Sequence, residues 1–301
     1  IREIYLKGLQ FAFLPAFSLI VFLSMKAGIN TLQFDSVSSN PEASGGFGAN
    51  QVSSVIGWFI LLILLVKVQR FKITPFNWLD WCMLAILFVR GLLTMSRGGM
   101  MSAAFALLGA LVVYFYTDYL FRRRFIKMLP YIVMGLVFLS AVTWYANKVS
   151  NNYVFYRYQG RTTNEVLTGT VDENKNYLTG RDEIMEGDLA AFLEYPLLGV
   201  GYGMSTSYHL AYFGSAAAAH TEFARLLSEN GSLGLLYMLI LFIALPVRYL
   251  FKVRSNLSKY FMAALFLISM MTMFHGAMRL SLAGILYGAA FIIVVESKKD
   301  E

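Results

Sequence analysis

The chain has 301 residues, 57% of them hydrophobic and 14% charged, with a mean hydropathy of +0.58. Soluble domains carry roughly 25% charged residues, so this composition excludes an ordinary soluble domain and points to a bilayer. The net charge of +7 does not signal nucleic acid, because the basic residues sit in short stretches between apolar runs, where they report membrane orientation. The single cysteine, Cys82, has no partner for an intrachain disulfide.

In chain order, mainly apolar runs of about 18 residues or more recur, each long enough to cross ~30 Å of hydrocarbon as a helix. They predict about eight spans, near 8–28, 50–68, 76–94, 99–117, 127–147, 231–250, 259–275 and 279–296. Ile1 stands where an initiator Met is usual, so the chain is expected to be an excerpt or a processed form. Lys67, Arg70 and Lys72 follow the second span, Arg122, Arg123, Arg124 and Lys127 the fourth, and Arg248, Lys252, Arg254 and Lys259 the sixth. Lys298 and Lys299 close the chain, and the positive-inside rule makes all these stretches cytoplasmic. The organisation expected is 1–147 as transmembrane helices 1–5, 148–230 as an extracytoplasmic loop domain, and 231–301 as transmembrane helices 6–8 with a cytoplasmic tail. The 148–230 segment holds six Lys/Arg against ten Asp/Glu, a net charge of −4. Chemistry there runs without ATP, on an activated substrate already moved across the membrane.

Polar groups appear in order along this frame. Arg90 lies within the third span, and Ser96-Arg97-Gly98-Gly99 forms an outer turn. A guanidinium near hydrocarbon is costly and marks a site, a partner or a snorkelling side chain, while the two glycines let a backbone or ligand approach closely. Arg157 and Arg161 follow, interleaved with tyrosines. Thr179-Gly180-Arg181 opens an expected amphipathic helix, Asp182 through Glu194, with Ile184, Leu189, Phe192 and Leu193 on its apolar face. Arg181 offers a planar fork suited to phosphate, or else a surface pair with Asp182 or Glu183.

Within the run Pro196 to Gly203, Gly199-Val200-Gly201-Tyr202-Gly203 echoes a potassium-channel filter, but it sits in a long acidic loop and has glycine at 199 where the filter needs threonine. A glycine turn admitting a glycan or phosphate is the better reading. His220 precedes a second helix capped by Thr221, where it suits a general base or a structural hydrogen bond. Glu222 either orients that histidine or pairs with Arg225, and Arg225 also stands one turn from Glu229. Gly231 is the expected stop or hinge before the sixth span. His275 and Arg279 lie at the outer ends of the last two spans. The acids Asp182, Glu183, Glu186 and Asp188 read as a solvated helix start more than as a metal site. No Gly-x-Ser-x-Gly elbow is present, which disfavours serine hydrolysis. Repeated halves expected of a transporter are not found.

Taken together, Thr-Gly-Arg181, Pro196 to Gly203, and His220-Thr-Glu-Phe…Glu229-Asn-Gly-Ser-Leu-Gly resemble the O-antigen ligase/polymerase superfamily of bacterial envelope enzymes. Gly45 to Gln51, leading into a span, and the Ser96–Gly99 turn agree with it. The resemblance implies an all-α polytopic membrane protein of the type-C glycosyltransferase kind, with further N-terminal helices absent from this chain. Many members have asparagine where Thr221 stands. It implies an inverting, metal-independent and cofactor-free transfer of a glycan from an undecaprenyl-pyrophosphate donor to a glycolipid or glycan acceptor. The reaction is placed at the periplasmic face of the bacterial inner membrane. His220 is the implied catalytic base, and Glu222 is grouped with it on the residue reading above. Arg97 and Arg181 are the implied pyrophosphate ligands, and Arg90, Arg161, Arg279 and His275 are further substrate-binding candidates. Membrane lipids are expected partners and nucleic acid is not.

Overall fold

The computed structural model describes residues 13–169, 181–214, 221–276 and 281–294, and its regular structure there is entirely helical. Among these residues six helices are long and apolar enough to cross a membrane: Leu14–Thr31, Ala49–Val68, Arg97–Thr117, Ile132–Val149, Glu222–Lys252 and Asn256–Gly276. The protein is therefore an all-helical, multi-pass membrane protein. Of the eight spans expected, 76–94 is a helix of 17 residues, Asn77–Leu93, and 279–296 is described as helix over Leu282–Ala290.

The chain divides into two compact units, one comprising 1–175, 255–268 and 286–301, the other 176–254 and 269–285. The first contains α1 (Phe13–Lys26), α2 (Ala49–Val68), α3 (Asn77–Leu93), α4 (Arg97–Thr117), α5 (Tyr119–Val149) and the short α6 (Tyr153–Tyr158) and α7 (Thr163–Thr168). Its core is aliphatic, with Ile56, Leu62, Ile63, Val66 and Leu87 almost fully buried. Helices α2 and α4 pack at backbone distance. A Cβ on Gly57 would lie 2.3 Å from the Gly99 carbonyl oxygen, and one on Gly99 would lie 2.2 Å from the Ser53 carbonyl. Close packing of small residues is how helices associate where burial from water supplies no force.

At one end of this unit, Lys67 of α2 pairs with the buried Asp80 of α3. Asp80 also accepts from the amides of Ile73 (3.2 Å) and Thr74 (2.9 Å), which shapes the connection. Asp118 caps α5 by accepting from the Phe121 amide at 2.7 Å. The arginines at 122–124 and Lys127 thus form the first turns of a 31-residue helix instead of the expected loop. Arg and Lys are good helix formers, so a cap at Asp118 is enough to extend the span.

The second unit contains α8 (Arg181–Glu194), α9 (Ser205–Phe213), α10 (Glu222–Leu239) and α11 (Leu245–Lys252), the last two joined by a π-helical turn, Ile240–Ala244. Helices α12 (Asn256–Gly276) and α13 (Leu282–Ala290) contribute a segment to each unit. The turn precedes Pro246, whose missing N–H removes one helical bond and favours local widening. Helix α10 breaks at Gly231, which has φ 59° and ψ −136°.

Candidate active site

In the first unit the Ser96–Gly99 turn is built from three directions. Met95 adopts φ 55°, a left-handed conformation that costs a side-chain-bearing residue about 1–2 kcal/mol. It is held by its own amide donating to Leu92 (2.9 Å) and by its carbonyl accepting from Arg157 Nε (3.2 Å). Ser96 donates through Oγ to Asn50 Oδ1 at 2.7 Å and accepts from Ser53 Oγ at 2.8 Å. The residues around Asn50 and the Ser-Arg-Gly-Gly turn, more than 40 positions apart, are thus one assembled piece. Arg97 takes the first position of α4, where the helix N-terminus also carries positive partial charge.

Arg157 arrives at this turn from α6. The neighbouring Tyr158 hydroxyl is buried and carries no hydrogen bond. Burial pushes that phenol up to about 12, against the opposing pull of Arg97 and Arg157, so both guanidinium groups act on it. Arg161 lies over the Tyr156 ring at 5.3 Å, and its Nε is buried without a hydrogen-bond partner. The arrangement concentrates arginine charge and an available phenol donor beside the start of α4, which suits a multiply charged oxyanion. Arg90, by contrast, is buried and donates through Nη1 to the Ala27 carbonyl at 2.6 Å, closing the end of α1.

In the second unit the glycine-rich turn docks on the break in α10. The kink at Gly231 releases carbonyls that a continuous helix would use internally. Ser228 O accepts instead from the Val200 amide at 2.8 Å and Glu229 O from the Gly201 amide at 3.2 Å. In return the Ser232 amide donates to Pro196 O at 2.8 Å, and Ser232 Oγ to Leu197 O at 3.0 Å. The close backbone approach expected of this turn is therefore made to the chain's own helix. Beyond it, Tyr202 lies under the Arg225 guanidinium, 5.7 Å from ring centroid to Cζ.

A buried polar network lies beneath this junction. Arg225 donates through Nη1 to Glu229 Oε2 at 2.7 Å and through Nε to Glu222 Oε2 at 3.1 Å, and it also pairs with Glu222 Oε1. Ser205 Oγ donates to Glu229 Oε1 at 3.0 Å. On the facing helix Asp188 accepts from Ser228 Oγ at 3.1 Å, and His209 Nε2 stands 3.2 Å from the same carboxylate oxygen. Asp188 Oδ2 carries no hydrogen bond. Desolvation pushes the Asp188 carboxyl up, an effect that His209 and the Ser228 hydroxyl oppose and Glu229 reinforces.

Helix α8 accordingly packs through Gly187, Asp188 and Ala191, all buried, while Leu189 and Leu193 of the expected apolar face are exposed. The small residues permit close approach, and the buried acid is tolerated because α9 and α10 supply its partners.

Of the candidate residues, Arg97 stands with Arg157 at the α4 turn. Glu222 makes the pair with Arg225 that its spacing allowed. His275 is buried, its Nδ1–H donating to the Met271 carbonyl at 2.7 Å one turn back. Arg181 begins α8, with its side chain outside the described residues, as are His220 and Arg279 altogether. His209 carried no recognisable sequence signal. Arg157 carried one, the tyrosine-flanked basic pair, without an indication of its destination.

A family model described as O-antigen ligase matches residues 82–239, just over half of the chain. No curated protein matches it.

Proposed function

Because this chain belongs to the O-antigen ligase family, we propose that it is a ligase-type glycosyltransferase moving a glycan from undecaprenyl pyrophosphate to an acceptor hydroxyl, on lipid A–core or another envelope acceptor. The reaction takes place at the periplasmic face of the inner membrane. The observation supporting this most is the family match itself, because Arg90, Arg97, Arg161, Arg181, His220 and Glu222 all fall inside it.

His220 accepts the proton of the acceptor hydroxyl while that oxygen attacks the anomeric carbon of the donor sugar. The bond from that carbon to the pyrophosphate oxygen breaks, with inversion, and undecaprenyl pyrophosphate leaves carrying the electron pair. Arg97 and Arg181 take the growing negative charge of the leaving group, an interaction that strengthens towards the transition state. Arg157, brought to the Arg97 turn by its bond to Met95, adds a second guanidinium on that side. No metal is required in this scheme, because the arginines supply the positive charge.

The test is transfer between purified lipid-linked donor and purified acceptor, with the surface polysaccharide of a deletion strain examined in parallel. Loss of all attached polymer together with transfer in vitro is expected of a ligase. Single repeats capping the acceptor in the deletion strain would assign the chain to polymerisation instead.

A further inference from the structure

We propose that Glu194, Tyr195, Tyr208 and Tyr212 form a saccharide-binding platform where α8 meets α9, one that grips the sugar portion of a substrate by ring stacking and by hydrogen bonds to one carboxylate. Tyr208 and Tyr212, one turn apart on α9, stack with centroids 4.4 Å apart and planes 25° from parallel. Their hydroxyls reach the two oxygens of Glu194, the last residue of α8, at 2.7 Å and 3.4 Å. Tyr195 bonds the same carboxylate and also Tyr212.

One phenol would suffice to tie α9 to α8. Three on one exposed carboxylate leave aromatic surface uncovered by the protein, with Tyr195 45% and Tyr212 59% exposed. Such rings combine an apolar face with a polar tip. A pyranose presents the complement, C–H groups on one face and hydroxyls at its edge. The carboxylate has about four acceptor positions, so one remains for a sugar hydroxyl after the three phenols have donated.

Charge selects the ligand class. Among the described residues no cation pairs with Glu194, so the platform repels pyrophosphate and anionic lipid headgroups and favours a neutral or amino sugar. Tyr208 and Tyr195 also remain donors across the neutral range. Burial and then the bond to Glu194 push Tyr208 up to about 12, and the bond to Glu194 likewise raises Tyr195.

This inference rests on the glycosyltransferase reading only for the identity of the sugar, which belongs to either the donor glycan or the acceptor. The experiment uses the full chain in nanodiscs and the variants Tyr212→Ala, Tyr212→Phe and Glu194→Gln. Transfer is measured with donor and acceptor varied in turn. Binding of short oligosaccharides, released by mild acid from the host's surface polysaccharide, is followed by saturation-transfer NMR. Tyr212→Ala and Glu194→Gln are expected to raise one KM and weaken oligosaccharide binding about ten-fold, with the loss falling on KM and not on kcat. The substrate whose KM moves identifies the sugar's source.

Tyr212→Phe keeps the stack and loses only the hydroxyl's bonds to Glu194 and Tyr195, so it carries the test if the alanine variant does not fold. Unchanged KM and oligosaccharide affinity in well-folded variants would overturn the proposal. So would a Tyr212→Cys protein (on a Cys82→Ser background) that resists water-soluble maleimide in nanodiscs, because the patch would then belong to the bilayer. If the wild type binds oligosaccharide, the variants lose that binding and no transfer occurs in any of them, the platform stands and the reaction reading falls.

Discussion

Gly199 and Gly231 occupy the same space from opposite sides. A Cβ on Gly199 would lie 2.4–2.6 Å from backbone atoms of residues 228–230, and one on Gly231 would lie 2.6 Å from the Leu197 carbonyl carbon. Both have positive φ, 69° and 59°. This contact locks the glycine-rich turn onto the broken helix and makes the two motifs one structural object. Each supplies the hydrogen bonds the other lacks.

Alanine at either glycine must clash with backbone and adopt a disfavoured φ, which together should cost about 3 kcal/mol or more. Gly203→Ala has the disfavoured φ of 76° but open space around the new methyl. Thermal unfolding in detergent should show Gly199→Ala and Gly231→Ala strongly destabilised and Gly203→Ala only mildly so. Equal effects at all three would refute the docking.

Arg225 neutralises two buried carboxylates, with the Glu222 and Glu229 side chains 6% and 2% exposed. Arg225→Ala leaves both without their cation and should cost about 3–5 kcal/mol. Arg225→Lys should recover only part of this, since an ammonium does not reproduce the planar fork. Expression and unfolding midpoints check it, and a well-folded alanine variant would show that the network contributes little.

The raised Asp188 carboxyl gives a pH signature. Its folded value lies above the usual ~3.9, so its protonation favours the folded state. That contribution is complete below ~3.9 and is lost as pH rises through the raised folded value. Asp188→Asn keeps an acceptor for Ser228 and removes the titration. Relative to this variant, the wild type should gain stability as pH falls from 7 towards 4. A difference in midpoint that does not change with pH would place Asp188 in the ordinary range.

His220→Ala should lower transfer by ~10²-fold or more, as expected on losing a general base. Arg97→Lys should also be strongly impaired, because an ammonium binds pyrophosphate as a point charge. Both proteins should fold normally. Near wild-type turnover for the histidine variant would make that residue structural.

The proposed topology, with 148–230 extracytoplasmic, predicts opposite labelling. On a Cys82→Ser background, Asn164→Cys should react with impermeant maleimide from the periplasmic side and Ser255→Cys only from the cytoplasmic side. Reaction of both from one side would move the active face.

Much of this architecture was legible in the sequence. Hydropathy marked six of the eight expected spans as helices long and apolar enough to cross a membrane, Gly231 marked the break in α10, and the i,i+3 and i,i+4 spacing of Glu222, Arg225 and Glu229 marked their pairing. These are local properties, set by composition over a window or by the pitch of one helix. Only the tertiary structure decided that α8 buries Gly187, Asp188 and Ala191 in place of its leucines, that His209 meets Asp188, and that Arg157 reaches the turn of Arg97 some 60 residues away. Each of those is a match between distant polar groups. A side chain's own chemistry states that it needs a partner when buried, but which partner it finds depends on how the helices pack.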